Sequence, residues 1–341
     1  MLQLKNTTPF AATIALFPNE HGVDTLYIIV KATFDLSARI AMAERQVPLT
    51  LADEHWGEAE NSSLKYAAEM HLCKPATDVA LVGQAWAPSG RPAAALDVRL
   101  AVAEREKTIR VFGDRHWRKD GALSSPQPFE RMPIVYERAY GGIHTPDPEA
   151  PQSLAEARNP VGVGFPGKRS KQELLEQPLP NIEDPAQLIR QPGQQSVPAG
   201  FGFIAATWQP RCQHAGTYDA DWQKTRAPYL PDDFNPRFFN AAAPEFVFDR
   251  YLQGGEPVEV DNANPSGPLR FHLPECQLNT QVAIANRTET PPLNLETVLI
   301  EPDEHRLCLT WRAALPCDKQ TLNVREVTIT LKQLRLIGVA L

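Results

Sequence analysis

Proline sets the first limit on what this chain can fold into. It carries 32 prolines against 19 glycines in 341 residues, and between Pro126 and Pro198 they recur every few positions. Proline has no backbone N–H to donate and fixes φ near −65°, so long helices and central strands are both excluded there. A helical bundle is therefore ruled out. The same stretch also holds Phe165, Phe201, Phe203 and Trp208, apolar weight that a disordered linker would not carry, so it reads as ordered loop packed on a framework.

That framework reads as strands. In TLYIIVKATFDL (25–36) the residues Leu26, Ile28, Val30, Ala32 and Phe34 form one apolar face. Tyr27, Ile29, Lys31, Thr33 and Asp35 form the other, more polar one. VALVGQAW (79–86) is a second strand, and ALDVRLAVAE (95–104) with KTIRVFGDRHW (107–117) reads as a hairpin around Arg105 and Glu106. Further strands are expected at 256–260, 268–273 and 324–331. A pair over 296–313 should turn at Pro302, Asp303 and Glu304. Only 170–177 reads as helical, with Ser170 as cap and Glu173 three residues on. The fold class is mainly β: an antiparallel sandwich or barrel-like framework with long proline-rich ordered loops and few short helices.

A net charge of −7 gives no general attraction to nucleic acid or to an anionic membrane. The basic strip from Arg99 to Lys119 is interleaved with Glu104, Glu106 and Asp114 and reads as a solvated strand face. The apolar run PFAATIALFP (9–18) is interrupted by Thr13 and bounded by prolines, and no run approaches the ~18 apolar residues of a membrane helix. Five widely spaced cysteines, an odd number, fit a reduced compartment better than a disulfide framework. These features together predict a cytoplasmic protein.

Motifs for chemistry are weak. GVGFPGKRS (162–170) has the opening of a phosphate-binding loop, but Arg169 occupies the place of the magnesium-binding hydroxyl. His71 with Cys73 and Cys212 with His214 have a metal-binding composition without the usual spacing, so no metal is assigned. Asp53, Glu54, Glu58 and Glu60 around His55 and Trp56 read as an acidic surface loop. No G-x-S-x-G elbow occurs. No catalytic residue and no cofactor is assigned. The stronger signal is aromatic: Tyr218, Trp222, Tyr229, Phe234 and Phe238, with Arg226 and Arg237 among them. Protein interfaces concentrate aromatics and arginine in this way. Loop anchors filling a core would look the same, so both readings of these rings stand.

A set of ordered segments carries a resemblance. They are NTTPF (6–10), VKATF (30–34), EMHLCKPATDVALVG (69–83), VFGDRHW (111–117), MPIVYERAYGG (132–142), NPVGVGF (159–165), PAGFGFIAATWQPR (198–211) and GTYDADW (216–222). Together they resemble a bacterial family long catalogued only as a domain of unknown function and since associated with type VI secretion as effector adaptors. The resemblance implies a single adaptor domain over 6–313. Within the chain, a β-rich lobe (about 1–125) and a proline-rich connection (about 126–245) precede a β-rich return (about 246–341). It implies a non-catalytic chaperone that binds a toxic effector, through a PAAR-like spike-tip domain, and brings it to the trimeric spike protein. The partner-binding residues expected are Tyr218, Trp222, Tyr229, Phe234, Arg237 and Phe238. The family-motif positions Lys74, Asp78, Arg115, Trp117, Gly141, Gly142, Asn159, Gly162, Gly164, Arg211 and Gly216 are expected to hold the fold. Two rival classes are a hydrolase or metal-binding protein, which needs convergent carboxylates or the Cys–His sets to meet in space, and a structural component of the secretion apparatus.

Overall fold

A computed structural model describes residues 2–37, 39–146 and 153–337. Three open sheets dominate it, and none of them closes into a barrel. The central sheet forms around two long strands, Asp24–Asp35 and Arg306–Pro316, antiparallel in register from Thr25↔Pro316 to Asp35↔Arg306. Ala11–Pro18 adds to one side, while Asn294–Glu301 and then Asp78–Leu81 add to the other. The β-branched and aromatic residues of Asp24–Asp35 suit a pleated surface. Both of its faces are buried from Thr25 to Phe34, so the expected polar face does not meet solvent. Loops over 47–74 and residues Leu230 and Phe239 cover it, and Tyr27, Ile29 and Leu72 form a small core there.

The second sheet contains the expected hairpin, Ala95–Val102 with Arg105–Phe112, flanked by Ile182–Glu183 and by Pro257–Asp261 with Leu269–His272. The third pairs Glu275–Ile284 with Val324–Arg335, with Gln3–Asn6 and Arg287–Glu289 at its edges. Most pairings are antiparallel, but Gln3–Asn6 runs parallel to Val324–Arg335, and Asp78–Leu81 parallel to Asn294–Glu301. Side chains from all three sheets, among them Leu26, Val98, Leu100, Val282 and Ile329, join one apolar core. The proline-rich connection contributes to it through Phe201, Phe203 and Trp208.

Helix is scarce. α1 is Lys171–Leu174, closed by the capping box of Ser170 and Glu173, and α2 is Ala220–Thr225. No helix among the described residues is long and apolar enough to cross a membrane. The strip from Arg99 to Lys119 is largely a solvent-facing ion-pair surface. Arg99 reaches Glu106, Glu259 and Asp261, and Arg110 reaches Asp97. Arg115 departs from that reading: it is buried and paired with Glu183, under a loop that takes its charge out of water.

Candidate functional site

A line of buried charges runs beneath the central sheet. Lys31 Nζ donates to Glu69 Oε2 at 2.9 Å, and Thr310 Oγ1 donates to the other oxygen at 2.6 Å. Arg312 donates through Nη2 to the Glu69 carbonyl and through Nε to Glu296, at 2.6 and 2.7 Å. Glu296 also accepts from the Lys74 main chain, and Lys74 Nζ reaches Asp78 at 2.8 Å. Asp78 then accepts from Asn240 Nδ2 and from the Ala241 N–H, both at 2.7 Å. Burial pushes the Glu296 carboxyl up, against the pull of Arg312 and Lys74. An unpaired charge at such depth costs several kcal/mol, so every member depends on its partner.

His71 sits on this line. Its Nδ1 faces the Leu72 carbonyl and its Nε2 lies 3.3 Å from Arg312 Nη2. A donor facing Nε2 and an acceptor facing Nδ1 specify the neutral tautomer protonated at Nδ1. Burial, with Arg312 and Lys74 beside it, holds the imidazole well below the usual histidine range. Cys73 is pushed up to about 12 by burial, which leaves an unreactive thiol. Cys212 and His214 lie on the 3₁₀ turn Arg211–His214. No group of three or more His, Cys, Asp and Glu side chains suited to a metal occurs among the described residues.

The charge line ends where an aromatic arm begins and returns. Arg211 donates through Nε to the Phe238 carbonyl at 2.7 Å and through Nη1 to the Ile204 carbonyl at 2.8 Å. Asn240 ties the far end to Ala76 and Asp78. In between, Asp233 takes both the N–H and the hydroxyl of Thr217. Gly216 is at φ +78°, where a Cβ would stand 2.9 Å from Asp233 and Pro231. Asp219 caps α2 by accepting from Asp221 and Trp222. Arg226 staples the arm to the hairpin before Asp24 through the Glu20 carbonyl, at 2.8 Å.

The six residues expected to bind a partner separate by position. Phe234 and Phe238 pack with Phe239, centroids 5.4–5.8 Å apart, and Phe239 stacks on His71 at 5.3 Å. Those rings face the molecule. Tyr218 and Trp222 meet edge to face at 4.8 Å, and Trp222 Nε1 donates to the Tyr229 carbonyl. Tyr218 is 53% exposed and Tyr229 42% exposed, so the far end of the arm presents aromatic surface outward. Tyr229 lies over Gly22, where a Cβ would come within 3.3 Å of its ring. Arg237 is exposed at the base.

The remaining motif residues meet structural needs. Asn159 Nδ2 donates to the carbonyls of Tyr136 and Tyr140. A Cβ on Gly141 would stand 2.1 Å from the Asn159 carbonyl, and one on Gly162 2.4 Å from its amide nitrogen. Gly142 donates to the same carbonyl, and Gly164 packs against Pro180. The apparent phosphate loop is thus filled by close packing, and the single turn of α1 follows it. Trp117 is buried in a separate small core with Tyr140. In the acidic loop, Asp53 accepts from the Ala68 N–H, while Glu54, Glu58 and Glu60 are exposed. Sequence reasoning missed Glu69, Glu296 and Arg312. The available signal was charge inside strands that are otherwise apolar, as in NLETVLIE and RLCLTWRAALP.

Residues 21–312 match the model of a family described as uncharacterized proteins conserved in bacteria, DUF2169. No curated protein and no solved structure matches the chain.

Proposed function

For a chain that belongs to the bacterial DUF2169 family, we propose a non-catalytic adaptor that holds a type VI secretion effector and delivers it to the spike. The observation that carries this reading is the outward aromatic end of the arm, Tyr218 and Tyr229 with the half-buried Trp222 between them, on a base tied at both ends to buried charges. Rigid aromatic side chains exposed on a fixed support make interface anchors at low entropic cost. A stable complex needs roughly 1,200–2,000 Å² of buried surface, so these rings supply anchors and the flanking loops supply the area. The ordered segments from NTTPF to GTYDADW direct the reading to effector loading, and the effector's PAAR-like domain is the part expected to dock.

The test is affinity capture of the tagged full chain from its native cells with secretion genes expressed, read by mass spectrometry. Recovery of one toxin bearing a PAAR-like domain, with or without the trimeric spike protein, supports the adaptor. Recovery of nothing near one-to-one overturns it.

A further inference from the structure

Beside the base of the arm lies a cleft of about 420 Å³. Arg105, Arg211, Arg237 and His214 line it, and Asp249 is its one lining carboxylate. It shares Ile204, Pro210 and Pro244 with an adjoining cleft of about 340 Å³, so the two form one elongated groove. The cations of the adjoining part are neutralised: Lys107 pairs with Glu245 at 2.9 Å and Arg158 with Glu156 at 2.7 Å. Those of the first part are not. Arg105 bonds the carbonyls of Glu245 and Val247 and lies over the Phe248 ring at 4.7 Å. Arg211 likewise bonds only carbonyls; of the two carboxylates that act on it from a distance, Asp53 accepts from the Ala68 N–H and Asp78 is paired with Lys74. Arg237 has no side-chain hydrogen bond or ion pair among the described residues.

Carbonyl partners fix a guanidinium without cancelling its charge. Two held guanidiniums, Arg105 and Arg211, and the exposed Arg237 therefore share the groove with one lining carboxylate, in a molecule whose net charge is −7. Field lines concentrate in a groove with low-dielectric walls, so this local positive potential outlasts the chain's overall negative sign. His214 registers it: burial and the Arg237 guanidinium hold its imidazole below the usual histidine range. The apolar lining, including Pro75, Ala76, Ala242 and Val247, suits a ligand with a hydrocarbon body as well as an anionic group. We propose that this groove binds a short extended peptide bearing carboxylates, seated with its acidic side chains on Arg105 and Arg237 and favoured by the positive charge of the buried Arg211 beneath them. The inference rests on the lining alone and holds whatever the exposed end of the arm binds.

The experiment is fluorescence anisotropy of the full chain with a labelled Asp/Leu/Phe/Glu peptide, against the same peptide with Lys for each acid. The acidic peptide is expected to bind and to weaken as salt rises from about 50 to about 300 mM, and the Lys peptide is expected not to bind. Arg237→Glu should lose about tenfold in affinity or more. Asp249→Asn should gain affinity by about twofold or more, a direction that loss of structure cannot mimic. The exposed pair variant Arg287→Gln, remote in sequence, should change nothing. Equal binding of the Lys peptide, or unchanged affinity in Arg237→Glu and Asp249→Asn together, overturns the proposal. Succinate binding as tightly as the peptide would also overturn it, because the ligand would then be a free small carboxylate.

Discussion

Lys31 stands in a run of Val, Ile, Ala and Phe, and its side chain is 4% exposed against 9% for that of Glu69. The alternation of Asp24–Asp35 was legible in the sequence, and so was the polar character of its second face. That this face is covered was not, because the covering comes from distant loops and from the arm. Removing one partner of such a pair leaves the other charged and out of water. Asp78→Ala strips acceptors from Lys74, Asn240 and Ala241 at once, and it is expected to cost about 3–5 kcal/mol in urea unfolding. His71 gives a pH signature. The folded chain keeps it neutral, whereas the unfolded chain takes up a proton below about pH 6.5. Its folded pKa is depressed, so the stability present above the unfolded value of about 6.5 is lost as pH falls from there towards the folded value, by up to about 1.4 kcal/mol per pH unit for this group. Urea midpoints at successive pH values should show that slope in the native chain and a flatter one in His71→Phe, which keeps a ring against Phe239. An unchanged slope would show that other groups carry the titration.

Among elements, those with a local signature were the readable ones. α1 was marked by Ser170 and Glu173, and the turn at Pro302–Glu304 by its composition. Ala11–Pro18 was not: its apolar run lacks the alternation that marks a half-buried strand. Glu275–Ile284 was missed because exposed polar residues interrupt its apolar positions. The arm's aromatics were legible as a cluster, but composition could not sort outer rings from inner ones. That sorting gives paired expectations. Tyr218→Ala and Trp222→Ala should leave the melting temperature nearly unchanged while costing about 2 kcal/mol or more in effector binding. Phe238→Ala, which empties a place beside Phe234, Phe239 and the Arg211 guanidinium, should instead destabilise the fold by about 3 kcal/mol. Calorimetric melting beside a binding titration separates the two outcomes. If all three variants melt early, the outer rings are pegs of the fold and the adaptor surface lies elsewhere.

The whole molecule is an interleaving of its two ends. Strands from before residue 36 and after residue 293 make most of the central sheet, and the third sheet joins Gln3–Asn6 to Val324–Arg335. Sequence patterns located most of these strands without revealing their order, because pairing between distant segments leaves no local mark. The matched family stretch, 21–312, omits Ala11–Pro18 and Val324–Arg335. A chain trimmed to 21–312 would expose the ladder of Glu275–Ile284 and one edge of Asp24–Asp35. It is expected to aggregate or to melt without a cooperative transition in circular dichroism, whereas a cooperative melt would show that the outer strands are dispensable.

The double tether of the arm has an evolutionary reading. Arg211 and Asn240 grip main-chain carbonyls and a carboxylate, none of which depends on the side chains between Thr217 and Pro231. The exposed positions among them that anchor nothing, such as Tyr218, Gln223 and Lys224, are therefore free to drift, much as a graft can be exchanged while its stock stays rooted, whereas Asp219, Arg226 and Leu230 hold the arm to the frame. If the arm holds a cargo as proposed, a lineage facing a new one could rewrite those exposed positions and leave the frame untouched.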